Sequence, residues 1–173
     1  MKQEQVNHPK HYNSHPNGIE CIDIIRHYTC DIANTIKYLW RAGLKTELGK
    51  DDADKEIEDL HKALWYIEDY SQHIPKAKKF HVPHGSLFFK EVVGYYPDDV
   101  IAPYCEDMKW ALNCLFYLGI VKDGKVYSID DYHYYMKTAV DRIHHRILAI
   151  NAAVSAASPA DEHPTDPDMI HFL

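Results

Sequence analysis

Residues 34–45, Asn-Thr-Ile-Lys-Tyr-Leu-Trp-Arg-Ala-Gly-Leu-Lys, read as the second half of a short helix with two chemically opposite faces. At about 100° per residue, Ile32, Ile36, Leu39 and Gly43 fall on one side, and Asn34, Lys37, Tyr38, Arg41 and Lys45 on the other. Lys37, Arg41 and Lys45 follow one another at four-residue steps, so their side chains stack along one edge and repel by a few tenths of a kcal/mol per pair. The whole chain carries a formal charge of −7. A cationic ridge on an acidic protein points to an anion, and phosphate is the smallest candidate. The competing reading is an ordinary solvated face.

Outward from this helix, the apolar spacing sets the architecture. Asp31 is placed to cap it, and Gly43 suits the left-handed position that closes it. Before it, Asn17 and Glu20 have capping-box spacing for a first helix over 18–28, with Ile19, Ile22 and Ile25 as its buried stripe. Residues 1–18, with Pro9 and Pro16, read as a loop. After it, Thr46–Asp52 links to a third helix over 52–73. Its first turn is acidic, as the helix dipole favours, and Ile57, Leu60, Leu64 and Ile67 form its apolar face. Short links between amphipathic helices favour antiparallel packing.

Composition changes after Ile74. Pro75, Pro83, Gly85, Gly94 and Pro97 mark a connecting region, with a short strand predicted at Leu87–Val93. A fourth helix is predicted over 104–118, closed by Gly119. Asp123-Gly124 signals a tight turn and a small hairpin near 121–127. Ser128 and Asp131 begin a long helix over 129–157 carrying Ile129, Met136, Val140, Ile143, Ile147 and Ile150. The expectation is an all-α bundle of about five helices. Its parts are an N-terminal unit over 1–74, a helical extension over 75–157, and a proline-rich acidic tail over 158–173. The stripe on the long helix exceeds what three short helices cover, which predicts a homo-oligomer.

The same composition limits function. No apolar run approaches the ~18 residues of a membrane span, and the N-terminus lacks the core of a signal peptide, so a cytoplasmic protein is expected. Net negative charge argues against nucleic-acid and membrane partners. Only 7 glycines occur, none in a Walker-type phosphate loop. Cys21, Cys30, Cys105 and Cys114 lack metal or redox spacing and read as reduced, buried thiols. His8 and His11 sit three residues apart and can bind phosphate, shuttle a proton or contribute to a metal site, but the sequence names no metal ligand set. His15, His27, His61 and His73 read as surface or helix-end residues. Glu58, Asp59, Lys62 and Tyr66 share one face of the third helix. Asp59 can orient the ridge or recognise a base or ribose, whereas Glu58–Lys62 can be a plain intrahelical pair. Trp40 and Trp65 read as core residues or base-stacking surfaces.

Val-Asn-His-Pro-Lys-His-Tyr (6–12), Gly-Ile-Glu-Cys-Ile-Asp-Ile-Ile (18–25), residues 34–45 and Asp-Leu-His-Lys-Ala-Leu-Trp-Tyr (59–66) occur in this order. Together they resemble a small family widespread in tailed phages, over about residues 6–70. Its members are known as a domain of unknown function or as phage nucleotide kinases, after a podoviral early protein that phosphorylates deoxynucleoside monophosphates without a P-loop. The resemblance implies catalytic roles for His8, His11 and Arg41. It also implies nucleotide contacts by Tyr12, Asn34, Lys37, Tyr38, Lys45, Asp59 and Lys62, with Gly43 matching as well. A nucleotide triphosphate would be the phosphate donor, with Mg²⁺ an open candidate, in the host cytoplasm. Two alternatives stand beside the kinase. One is non-catalytic sequestration of a nucleotide or cyclic nucleotide. The other, weaker, is a helical pyrophosphohydrolase, because Glu56 and Asp59 give one E-x-x-D motif but the facing helix is basic.

Overall fold

The computed structural model describes residues 10–44, 51–73, 79–83 and 85–157. Helices α1 (Lys10–Asn13), α2 (Cys21–Ile25), α3 (Cys30–Arg41) and α4 (Asp52–His73) come first. They are followed by β1 (Lys79–His81), α5 (Ser86–Val93), α6 (Pro97–Ile101), α7 (Glu106–Leu115), β2 (Ile120–Lys122), β3 (Lys125–Ser128) and α8 (Tyr132–Ala157). The protein is largely helical, with a small three-stranded sheet that corrects the all-α expectation.

Helix α3 lies along α4, α8 lies along α7, and α4 also packs on α8. One buried cluster runs through all four. Ile32, Ile36, Leu39, Trp40, Leu60, Ala63, Leu112, Leu115 and Ile143 in it have no accessible surface. Each large apolar side chain buried there contributes roughly 1.5–3 kcal/mol of transfer free energy. Met136, Ala139, Ile143, Ile147 and Ile150 of α8 are buried within the same cluster. Ile129 and Val140, which complete the stripe that motivated a homo-oligomer, are half-buried against it.

Several boundaries differ from the sequence reading for local reasons. Helix α2 begins at Cys21, because Glu20 and Asp23 form the reciprocal capping box. Asn17 instead donates to the Asp99 carbonyl oxygen. Ile24 is buried and Ile22 is 48% exposed, so the α2 stripe is shifted. Residues 10–13, read as loop, form one helical turn. The predicted strand at 87–93 is helix α5, with Phe88, Phe89 and Val93 buried and Leu87 exposed. A short apolar run fits both periods, and burial at spacings of one and four residues belongs to the helix. The fourth helix is shorter than expected, at Glu106–Leu115, and α6 precedes it.

The Asp-Gly turn is present. Asp123 and Gly124 have φ of +50° and +70° between β2 and β3, the left-handed pair a tight hairpin needs. Strand β1 adds in parallel to β3, with Phe80 opposite Tyr127. The hairpin is fastened to the α2–α3 link: Val121 N donates to the His27 carbonyl oxygen at 2.7 Å, and Thr29 N to that of Gly119 at 2.9 Å. A Cβ at Gly119 would lie 2.6 Å from Thr29 Oγ1, so the close approach needs glycine there. Ser128, read as the start of the long helix, has another role. Its Oγ accepts the Gly119 N–H at 3.0 Å and lies 3.2 Å from the Tyr70 hydroxyl.

Candidate functional site

The cationic face of α3 meets α4, and the structure brings most of the expected residues together there. Arg41 was expected on an exposed ridge, but only 8% of it is accessible. Its Nε donates to Asp59 Oδ2 at 3.0 Å and its Nη2 to Oδ1 at 2.7 Å, while Nη1 donates to the Tyr12 hydroxyl at 3.1 Å. Burial opposes the guanidinium charge. The hydrogen bonds to Asp59 and Tyr12 outweigh it, and they hold the Arg41 pKa above its ordinary value. The planar fork expected to clamp a phosphate is thus engaged by a carboxylate. Arg41 is a structural keystone.

Lys55, which the sequence reading passed over, completes the buried group. Its Nζ lies 3.2 Å from Asp59 Oδ1 and 3.1 Å from Glu58 Oε1, and the residue is 1% exposed. Lys55, Asp59 and Ala63 lie at successive four-residue steps along the inner face of α4, all buried. Two ionisable residues in a buried stripe require partners, because an unpaired buried charge is too costly. That was the legible signal.

Around this group stands a half-buried rim. Tyr38 lies at its centre, with Arg41 Cζ 4.5 Å, Lys37 Nζ 4.8 Å and Lys62 Nζ 5.8 Å from its ring centroid. Tyr38 also stacks on Tyr66, centroid to centroid 5.7 Å at 18°. Asn34 Oδ1 accepts from Lys37 Nζ at 2.6 Å, and the Asn34 amide donates to the Cys30 carbonyl oxygen. Lys62 donates to Glu58, the expected intrahelical pair. Helix α1 brings Tyr12 to Arg41, and the His11 ring packs against Tyr12 with centroids 4.3 Å apart. His8 and Lys45 lie outside the described residues, as does the expected tail at 158–173.

Four cations (Lys37, Arg41, Lys55 and Lys62) thus face two carboxylates, Glu58 and Asp59. The local sign is positive on a chain whose formal charge is −7. Trp65, on the same stretch of α4, is 59% exposed and meets Tyr66 edge-on at 4.8 Å. Trp40 is fully buried core.

The E-x-x-D carboxylates are both held by cations. Asp59 is bound by Arg41 and Lys55, and Glu56 Oε1 accepts from Arg146 Nε at 2.8 Å. Among the described residues, no group of three or more His, Cys, Asp or Glu side chains could hold a metal ion. Cys30 and Cys105 are exposed, contrary to expectation, whereas Cys21 and Cys114 are buried. Burial pushes the Cys21 thiol up to about 12 and that of Cys114 to about 11, which leaves both protonated and unreactive. His15, expected at the surface, is 7% exposed, and its Nε2 lies 2.9 Å from the Val100 carbonyl oxygen. No described helix is long and apolar enough to cross a membrane.

No curated protein and no solved structure matches this chain. The expected membership of a phage nucleotide-kinase family is not upheld, because the family model that matches is described only as of unknown function and nothing links it to such kinases. Residues 6–68, which hold α1 to α3 and most of α4, are similar to a family described as a protein of unknown function, DUF3310.

Proposed function

We propose that this protein binds a nucleotide through its phosphate on the α3–α4 face, without transferring the phosphoryl group. The observation that carries the reading is the convergence of Lys37, Arg41 and Lys62 on the Tyr38 ring, a positive patch on a negative protein. Lys37 and Lys62 are the rim cations from which a phosphate can draw hydrogen bonds. Arg41 and Lys55, fixed by Asp59 beneath them, add fixed positive charge rather than mobile ligands. Tyr66 and the exposed Trp65 place aromatic surface beside Lys62, and a base can stack there. Binding without transfer is favoured because the best transition-state clamp, the Arg41 fork, is committed to a carboxylate.

The test is calorimetric titration with deoxynucleoside mono- and triphosphates, followed by chromatographic separation of products after incubation with both. The expected result is saturable binding with intact ligand. It should weaken about 10- to 150-fold in Lys37→Ala, from loss of a charge-assisted contact worth about 1.5–3 kcal/mol. Accumulation of a diphosphate would restore the kinase reading, and release of pyrophosphate the hydrolase. Absence of binding to any nucleotide by the folded protein would remove the function altogether.

A further inference from the structure

A second concavity, of about 290 Å³, opens on the far side of α3, where the DUF3310-like segment meets the C-terminal helices. Its accessible wall includes Leu44, Pro103, Tyr104 and Cys105, and its polar wall is the pair Glu56–Arg146. The volume sits at the lower end of small-molecule sites, so the occupant is a single-ring compound rather than a chain.

The polar pair decides the chemistry. Glu56 and Arg146 are both largely enclosed, with 13% and 31% of their side chains exposed. Their charges cancel, so neither a cation nor an anion gains by entering. Among the described residues Arg146 spends its Nε on Glu56 Oε1, and no partner is seen for its outer nitrogens or for Glu56 Oε2. What remains is an acceptor oxygen beside a row of N–H donors. The complement of that edge is a carbonyl oxygen beside an N–H, as in a primary amide or a lactam.

The surroundings keep the pair in place. Gly43, at φ +74°, brings its backbone against the Glu56 carboxylate, and a Cβ there would lie 3.2 Å from Oε2. His15 also lines the concavity, but both ring nitrogens are engaged, Nε2 with the Val100 carbonyl oxygen and Nδ1 with Asn17 N. It is a wall, and takes no proton to or from a ligand. Tyr104 directs its hydroxyl to the Trp40 carbonyl oxygen. Besides the exposed Ser14 hydroxyl at the rim, Glu56 and Arg146 supply the side-chain polarity with spare capacity.

We infer that this concavity is a binding site for a small, neutral, planar amide or lactam, held by Glu56 and Arg146. It is separate from the phosphate-binding face, and its test does not depend on that reading.

Cys105 on the wall is a reporter. In a Cys30→Ser protein it is the one exposed cysteine, because Cys21 and Cys114 are buried. The rate of its alkylation by iodoacetamide would be followed with nicotinamide and uracil as amide and lactam probes. Benzoate and benzylamine serve as charged probes of similar size. The amide probes should slow labelling saturably, about tenfold at roughly ten times their dissociation constant. The charged probes should not. Arg146→Met should abolish the protection. Leu44→Trp, an exposed position at the mouth, should abolish it in a protein whose circular dichroism is unchanged. Absence of saturable protection by both amide probes overturns the inference. So does equal protection by benzoate, or protection that survives Leu44→Trp in the folded protein.

Discussion

Two ionic clusters, each an Asp held by an Arg and a second basic residue, tie the helices of this protein together in different surroundings. Between α3 and α4, Asp59 receives Arg41 and Lys55 with 1%, 10% and 2% of the side chains exposed. Between α7 and α8, Asp107 receives Arg142 at 3.4 Å and His145 at 2.7 Å, with 16%, 42% and 68% exposed. An exposed pair gains little over its hydration and is screened by salt. A buried group must stay complete, because losing one member leaves a buried charge short of partners that water cannot replace. The comparison separates what a charge does for the fold from what it offers a ligand. The buried cluster fixes the geometry, and the rim of Lys37 and Lys62 is left for chemistry.

The largest expected effect is therefore Arg41→Ala, which leaves Asp59 with Lys55 alone. Urea denaturation should show a loss of about 3–5 kcal/mol. Arg142→Ala should cost no more than about 1 kcal/mol. Equal losses from the two would break the comparison. Replacing the buried cluster as a unit, with Arg41→Met, Lys55→Met and Asp59→Leu together, sharpens it. Stability should return to within roughly 1–2 kcal/mol of the parent, since apolar groups of similar volume remove the desolvation cost. On the proposed function, nucleotide affinity should be weaker than the parent's, because Arg41 has gone from the Tyr38 ring and the local positive charge falls by one.

How much of this was readable beforehand follows the same line. The bounds of α4, the left-handed Gly43 and the Asp123-Gly124 turn were legible, because periodicity and special backbone angles are local properties. Tyr12, Lys37, Tyr38, Arg41, Asp59 and Lys62 were expected at one site, and they converge. The burial of Arg41 was not legible on a helical wheel of α3. It is set by Asp59, 18 positions away on another helix. Lys55 was readable in principle and missed, because the apolar stripe of α4 was followed through Ile57 and Leu64, which are only half-buried. The parallel pairing of β1 with β3 spans more than 40 residues, and no local pattern announces it.

A smaller effect of opposite sign is expected at Asp31, in the first turn of α3. Burial, the nearby Asp69 charge and a hydrogen bond to Asp69 raise its pKa above the ordinary value. An acid whose folded pKa is raised binds more protons folded than unfolded, so its ionisation works against the fold as pH rises. Asp31→Asn should raise the melting temperature at pH 7, with the gain fading as pH falls through the raised folded pKa and gone below about 4, where both states are protonated. A loss of stability at pH 7 would mean that Asp31 is needed in its charged form.

Asp107 gives the mirror case and the smallest effect. Partial burial opposes its charge, but the hydrogen bonds from His145 and Arg142 prevail, and its pKa lies below the ordinary value. Such an acid binds fewer protons folded than unfolded, so its contribution is fully present above the unfolded pKa and is lost as pH falls through the folded one. Asp107→Asn should thus destabilise slightly at pH 7, and its difference from the parent should shrink steadily below about pH 4. Since Arg142 and His145 are exposed, about 1 M salt should shrink the same difference at pH 7 by screening. The Arg41→Ala loss between α3 and α4 should hardly respond to salt. If both respond alike in parallel urea titrations, the two clusters are electrostatically equivalent, and burial is not what distinguishes them.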